Sequence, residues 1–268
     1  MLRWTGTARS GLALAAGLAA ALAGPGAGAL AAQSETPLPA LLEPDFLLSV
    51  GEVVDPGSWH DAETVVGAAG GAIVGEHSHT VFDLLYVPAV VAGRSLTPGD
   101  RVQTFRLARP IDDPATGERL GSLLLPTGVA RVEDVEGEIA RVRITDAFQP
   151  VLVGDRVRMA DGSGEAWAGG GAPGSGAGRI VAFQEEKAVH PTFDILFLRS
   201  EVAGALAAGQ VVELYRPGEV RYGTRQPDRG LGKAMVVRVE GPLAAAVVFA
   251  LAGPELEPGD LYRGARPE

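Results

Sequence analysis

The chain carries one segment twice. Residues 73–106 read IVGEHSHTVFDLLYVPAVVAGRSLTPGDRVQTFR, and residues 180–216 read IVAFQEEKAVHPTFDILFLRSEVAGALAAGQVVELYR. The cores FDLLYVP and FDILFLR begin at Phe82 and Phe193, 111 residues apart. Similarity resumes with GVARVEDVEG at 128–137 against GKAMVVRVEG at 232–241. Both stretches then reach a Gly-Asp pair, Gly154-Asp155 and Gly259-Asp260. A repeat of this length constrains the fold before any single residue does, because each copy must bury its own core. It also makes the shared residues structural in the first instance, since a catalytic residue needs to stand in only one copy or between the two.

The periodicity inside each copy is that of strands. Apolar and polar residues alternate through 102–107, 139–144, 151–157 and 211–215. No window of a dozen residues holds apolar positions at helical spacing without a Gly or Pro. The punctuation is Pro98-Gly99-Asp100, Val153-Gly154-Asp155, Ala208-Gly209-Gln210 and Pro258-Gly259-Asp260, each just before a strand. Gly supplies the positive φ of such a turn, and Asp can bond nearby backbone amides to fix it. FDLLYVP and FDILFLR read as buried central strands, with Phe82 and Phe193 as equivalent core residues and Asp83 and Asp194 as shared hydrogen-bonding groups. The expected fold class is all-β: two tandem related small β-barrel-like modules joined by a Gly-rich linker.

The expected organisation has five parts: a signal peptide at 1–31, an N-terminal lead-in at 32–70, the first β module at 71–160, a linker at 161–177 and the second module at 178–263. Arg3 and Arg9 precede an apolar stretch, 11–23, and Ala29-Leu30-Ala31 forms an A-x-A cleavage site. An uncleaved anchor helix is the alternative, since 11–32 is long enough to span a bilayer, although Pro25 interrupts it. The lead-in carries two apolar pieces, LLEPDFLLSV and ETVVGAA, without a counterpart in the second copy. They are expected to pack as a short helix or strand on the first module. The linker, DGSGEAWAGGGAPGSGAG over 161–178, is flexible by composition and holds a lone aromatic, Trp167.

Composition narrows the function. The net charge is −10, which disfavours nucleic acid and anionic lipid as partners. The 268 residues contain no cysteine, so lipoprotein anchoring, disulfides, thiolate metal sites and Cys nucleophiles are excluded. His77-Ser78-His79 is the sharpest chemical candidate, because on a strand i and i+2 face one side and both imidazoles could share a metal. A third ligand would have to come from His60, Glu76 or Asp83. The second copy has Gln184-Glu185-Glu186 nearby and His190 in a loop, which puts the pair outside the shared framework. No phosphate loop and no nucleophile elbow is present. Glu133, Asp134 and Glu136 read as the solvated tip of a turn between two strands.

The order GDR-strand, DPATGERLG at 113–121, Gly154-Asp155-Arg156, Tyr215-Arg216-Pro217-Gly218 and a closing Pro258-Gly259-Asp260 resembles the region after the LysM module in exported bacterial LysM-type peptidoglycan-binding proteins. The resemblance spans about 70–263. The LysM module itself is absent: 33–70 is too short for it and lacks its first turn. What the resemblance implies is an accessory envelope region without the residues that grip glycan.

The expected function is therefore that of a non-enzymatic exported cell-envelope protein, periplasmic or at the cell surface, with a binding or scaffold role and no cofactor or resident metal. Its expected partner is another envelope protein, with peptidoglycan reached indirectly and no membrane insertion after signal cleavage. The alternatives are a metal-dependent hydrolase using His77 and His79, and a purely structural envelope spacer.

Overall fold

In a computed structural model of the protein, residues 44–55, 57, 63–68, 78–160, 176–202, 204–252 and 255–265 are described. The expected signal segment, His77, Trp167 and linker residues 161–175 lie outside them. The helical turn α1 (Pro44–Leu47) and strand β1 (Glu52–Val54) come first. They are followed by β2 (Gly67–Ala68), β3 (Leu84–Pro88), β4 (Val90–Val91), β5 (Arg94–Ser95), β6 (Arg101–Asp112), β7 (Arg119–Glu136), β8 (Ile139–Ala147) and β9 (Arg156–Met159). The second half contains β10 (Ala177–Phe183), β11 (Ile195–Ser200), β12 (Val211–Arg216), β13 (Val220–Arg221), β14 (Thr224–Arg225), β15 (Arg229–Glu240), β16 (Leu243–Leu251) and β17 (Leu261–Gly264). The fold is all-β, as the alternation predicts.

The second half closes into a six-stranded barrel, β10-β11-β16-β15-β12-β17. The first half is a sheet in the order β2-β3-β8-β7-β6-β9, with β1 added on β7. Its two edges meet through the segment leading into β2, where the Val65 N–H donates to Asp155 O and the Gly154 N–H to Val65 O. Residues 63–68 were expected in the lead-in with no counterpart. They hold the place that β10 holds in the second barrel, where Ile180 exchanges the same two bonds with Asp260 and Gly259. The halves also match in detail. Register slips occur at Thr104/Phe105, Val129/Ala130 and Val132/Asp134 in one, and at Leu214/Tyr215, Lys233/Ala234 and Val236/Arg238 in the other.

Six turns of one construction set this register. They are Thr80–Asp83, Thr97–Asp100 and Leu152–Asp155 in the first half, and Pro191–Asp194, Ala207–Gln210 and Glu257–Asp260 in the second. In each, the fourth N–H returns to the first carbonyl, and the third residue has positive φ. The third N–H and fourth C=O then exchange bonds with one buried strand residue: Ile144, Val132, Val65, Val248, Val236 or Ile180. In five of the six, the fourth side chain accepts the N–H of the first residue, as in Leu152 N to Asp155 Oδ2 at 2.9 Å. At Asp100, the Thr97 backbone N–H holds the carboxyl below the usual carboxylate range. Asp155 and Asp260 are nearly inaccessible and are each gripped by two nitrogens of an arginine, Arg106 and Arg216.

Three apolar clusters fill the molecule. One lies inside the first sheet, around Leu85, Val102, Val132 and Ile144, and one inside the second barrel, around Leu196, Val236, Val248 and Tyr262. The third lies between the halves. Along β15 and β16, alternate residues enter the barrel (Ala234, Val236, Ala244, Ala246) or point outward (Met235, Val237, Leu243, Ala245). The outward set is covered by Leu47, Val50 and Val53 of the lead-in and by Ile111, Leu123 and Leu125 of the β6–β7 hairpin. The lead-in packs on the first module, as expected, and on the second barrel as well, as a wedge shared by both. Gln184 accepts the Gly51 N–H and donates to Ser49 O, and Arg238 donates to Val50 O and Leu47 O.

Phe82 and Phe193, expected in the core, are not there. Phe82 is 75% and Phe193 42% exposed, because the strand begins after the Asp and each Phe is the third residue of its turn. Glu133, Asp134 and Glu136 belong to the end of β7 rather than to a turn, with Glu133 paired to Arg143.

Two predictions follow from the turn and the wedge. Asp260→Ala removes the carboxylate that the Glu257 N–H and two nitrogens of Arg216 share, leaving Arg216 only Glu255 O and Glu257, and is expected to cost about 3 kcal/mol in chemical denaturation. In the wedge, Glu52 lies 3.3 Å from Arg238, and burial, then the Glu52 charge, pushes Glu240 up to about 7. A carboxyl whose folded value lies above its unfolded one favours folding at low pH, and that contribution is lost as pH rises through the folded value. The melting temperature should fall between about pH 5 and about pH 8 more steeply for the native chain than for Glu240→Gln; equal slopes would refute this assignment.

Candidate functional site

Of the two histidines singled out by sequence, only His79 is described. Its backbone forms a bridge with Val151, and its Nδ1 lies 3.7 Å from Asp83 Oδ2. This is not an isolated pair. His190 stands in the same place in the second half, with Nδ1 2.7 Å from Asp194 Oδ2. The shared pattern is H-x-x-F-D, at 79–83 and at 190–194. His79 therefore belongs to the common framework, contrary to the sequence expectation.

The two pairs differ for a local reason. In the first turn the Asp83 carboxylate accepts the Thr80 N–H. In the second, Pro191 replaces that residue and has no N–H to give. The Asp194 carboxylate is then left for His190 and for Lys187, whose Nζ lies 3.0 Å away. The His190 ring also stacks on Phe183, with centroids 3.5 Å apart, and is buried. Glu185 and Asp194 together raise the Lys187 ammonium above its ordinary value. This cluster ties the loop before β11 to β10. Among the described residues, no three His, Asp or Glu side chains come together as a metal site.

A stronger functional contrast lies on the outer surface. Strand pairing places Leu84, Tyr86, Ile139, Arg141 and Arg143 of the first sheet at the positions of Ile195, Phe197, Leu243, Ala245 and Val247 of the second barrel. In the second barrel this face is apolar and covered by the wedge. In the first sheet it is open: Val66 is 49% and Ile139 42% exposed, and Tyr86 is half-buried. A surface hollow of about 510 Å³ lies here, lined by Tyr86, Asp134, Glu136, Glu138, Ile139 and Arg141. An aromatic ring and a branched side chain are thus set beside three carboxylates and the Arg141 guanidinium, which lies 4.0 Å from Asp134.

Sequence reasoning missed this face. Its signal was present in GVARVEDVEG against GKAMVVRVEG, where Arg131 and Glu133 stand opposite Met235 and Val237. Equivalent outward positions are charged in one half and apolar in the other, and only the apolar face is covered within the chain.

The chain matches no family model and no curated protein.

The exposed Phe82, held at φ 77°, offers a direct test of what its turn requires. A left-handed conformation costs a side-chain-bearing residue roughly 1–2 kcal/mol, and four of the six turns avoid this with Gly. Phe82→Gly is expected to leave stability unchanged or to raise it by up to about 1 kcal/mol in denaturant unfolding, and Phe82→Ala to cost less than about 1 kcal/mol. A loss of about 3 kcal/mol for either would restore Phe82 to the core.

Proposed function

We propose that this protein is a non-enzymatic, exported cell-envelope scaffold that binds another protein through the open outer face of its first half. The two halves are read as descendants of one duplicated module. In that reading, the second copy's outer face has been committed to internal packing and the first copy's face kept for a partner. The single observation that supports this most is the contrast at equivalent positions: Phe197 and Leu243 are buried beneath the wedge, while Tyr86 and Ile139 line an accessible hollow. The resemblance to the region after the LysM module supports an envelope setting. The absence of that module supports peptidoglycan being reached through the partner.

The barrel interiors support a surface role as well. The inward residues of β11, β15 and β16 are fully packed Leu, Val and Ala, and a core at ordinary packing density offers no room for a ligand.

The test is capture from envelope extracts with the purified chain as bait. A specific envelope protein should be retained by the native chain and lost with Ile139→Asp, a partly exposed position whose change should cost stability no more than about 0.5 kcal/mol. Bare peptidoglycan sacculi should not sediment the chain. Equal capture by Ile139→Asp, or salt-resistant sedimentation with sacculi, would overturn the reading.

A further inference from the structure

Each half projects a hairpin from the same place, immediately after its gripping arginine. In the first half this arm is the distal part of β6 and β7, and it has a seat. It lies on β10 and β11 of the second barrel, where the Arg109 Nη2 donates to Phe183 O at 2.6 Å. Its acidic residues meet basic ones: Asp113 lies 2.7 Å from Arg199 and 3.5 Å from Arg179, and Glu118 lies 2.8 Å from Arg199. Ile111 and Leu120 press on the apolar cluster beneath.

The second half's arm is the β13–β14 hairpin between β12 and β15, and among the described residues no hydrogen bond or ion pair ties its side chains to the first half. Tyr222 at its tip is fully exposed and Val220 is 69% exposed. The arm is nonetheless tightly folded. Gln226 N–H donates to Glu219 O, and a Cβ on Gly218 would meet Gln226 O at 2.0 Å. Tyr222 and Gly223 both have positive φ, the geometry of a tight two-residue hairpin. An aromatic side chain is thus held fully in water at a position that Asn or Gly would fill with less strain.

The seat equivalent to the occupied one is the open face of the first sheet. The charges are complementary, and reversed relative to the first joint. The free arm carries Arg221, Arg225 and Arg229 against Glu219 and Asp228, while the hollow of the open face is lined by Asp134, Glu136 and Glu138 against Arg141, which faces Asp134. Among the described residues, Arg225, Arg229, Glu136 and Glu138 have no ion-pair partner.

We propose that the second arm of one molecule docks on the open face of a second copy of this chain, with Tyr222 entering the hollow between Tyr86 and Ile139. The joint rests on the open face being a docking surface, as read above, and names its occupant. It is heterologous, so it propagates head to tail into a ring or an open chain instead of stopping at a symmetric dimer. The reversal of charge keeps each arm from the other's seat, since an acidic arm facing an acidic rim is repelled.

Sedimentation-velocity measurements on the purified full chain test this. The native protein should show species larger than a dimer that grow with concentration and shrink in about 0.5 M salt. Tyr222→Asp, with a blocked arm, and Ile139→Asp, with a blocked face, should each be monomeric. Mixed in equal amounts, they should give a 1:1 heterodimer and nothing larger, because only one intact arm and one intact face remain per pair. A native chain that stays monomeric up to about 0.1 mM would overturn the proposal, as would single variants that assemble like the native chain or variants that fail to combine. If the native chain is monomeric yet Ile139→Asp still loses its envelope partner, self-docking falls and the binding reading stands. If neither changes, both fall.

Discussion

Everything in this molecule is hung on a four-residue turn locked to a strand by two reciprocal hydrogen bonds. The turn requires one residue at positive φ and, in five of its six occurrences, closes with the fourth side chain on the first N–H. Its third N–H and fourth C=O are then presented to a buried strand residue that needs both a donor and an acceptor. Buried backbone groups without partners cost free energy comparable to a lost hydrogen bond. The turns therefore do more than reverse the chain: they satisfy strand positions that the sheet ladders leave open. Three per half, at matching places, also explain why bulges recur at matching places, since each lock fixes the register on either side of it.

Given that frame, the halves diverge where the locks impose nothing. Inward residues are nearly interchangeable, with Leu85, Val102, Val132 and Ile144 against Leu196, Val212, Val236 and Val248. Outward residues are not, with Arg141 and Arg143 against Ala245 and Val247. A face carrying two arginines can stay open within its own chain. A face of Ala, Val and Met must be covered, and here it is covered by residues from the other end of the chain. One scaffold thus yields an intramolecular joint in one half and an open surface in the other.

Much of the fold was legible in the sequence. Strand alternation, three Gly-Asp pairs and Gly209-Gln210 marked the strands and four of the six turns because Gly at positive φ leaves a plain signal. The other two turns did not, because Phe occupies the same position, and a Phe at the head of an apolar run reads as core. The equivalence of 63–68 to β10 was missed because Val65-Val66-Gly67-Ala68 and Ile180-Val181-Ala182-Phe183 share little beyond apolar character. The equivalence of His79 and His190 was visible as H-x-x-F-D, but the neighbouring His77 drew attention to a pair instead. The wedge was not legible, since an apolar LLEPDFLLSV shows that it packs without showing on what.

The wedge also has a consequence for how the chain reaches this structure. Arg238 donates to Val50 O across 188 residues of sequence, and Gly51 donates to Gln184 across 133. Contacts closed over such separations form late, because loop-closure entropy is lost before they return anything. The lead-in, made before the second barrel, therefore keeps Phe46, Leu47 and Val50 without this part of their cover until β15 and β16 exist. Until the joint closes, the outward face of β15 and β16 is uncovered as well. Both halves of the eventual joint are then open at once to other chains. A protein built this way depends on being kept apart from its own copies while it is still incomplete.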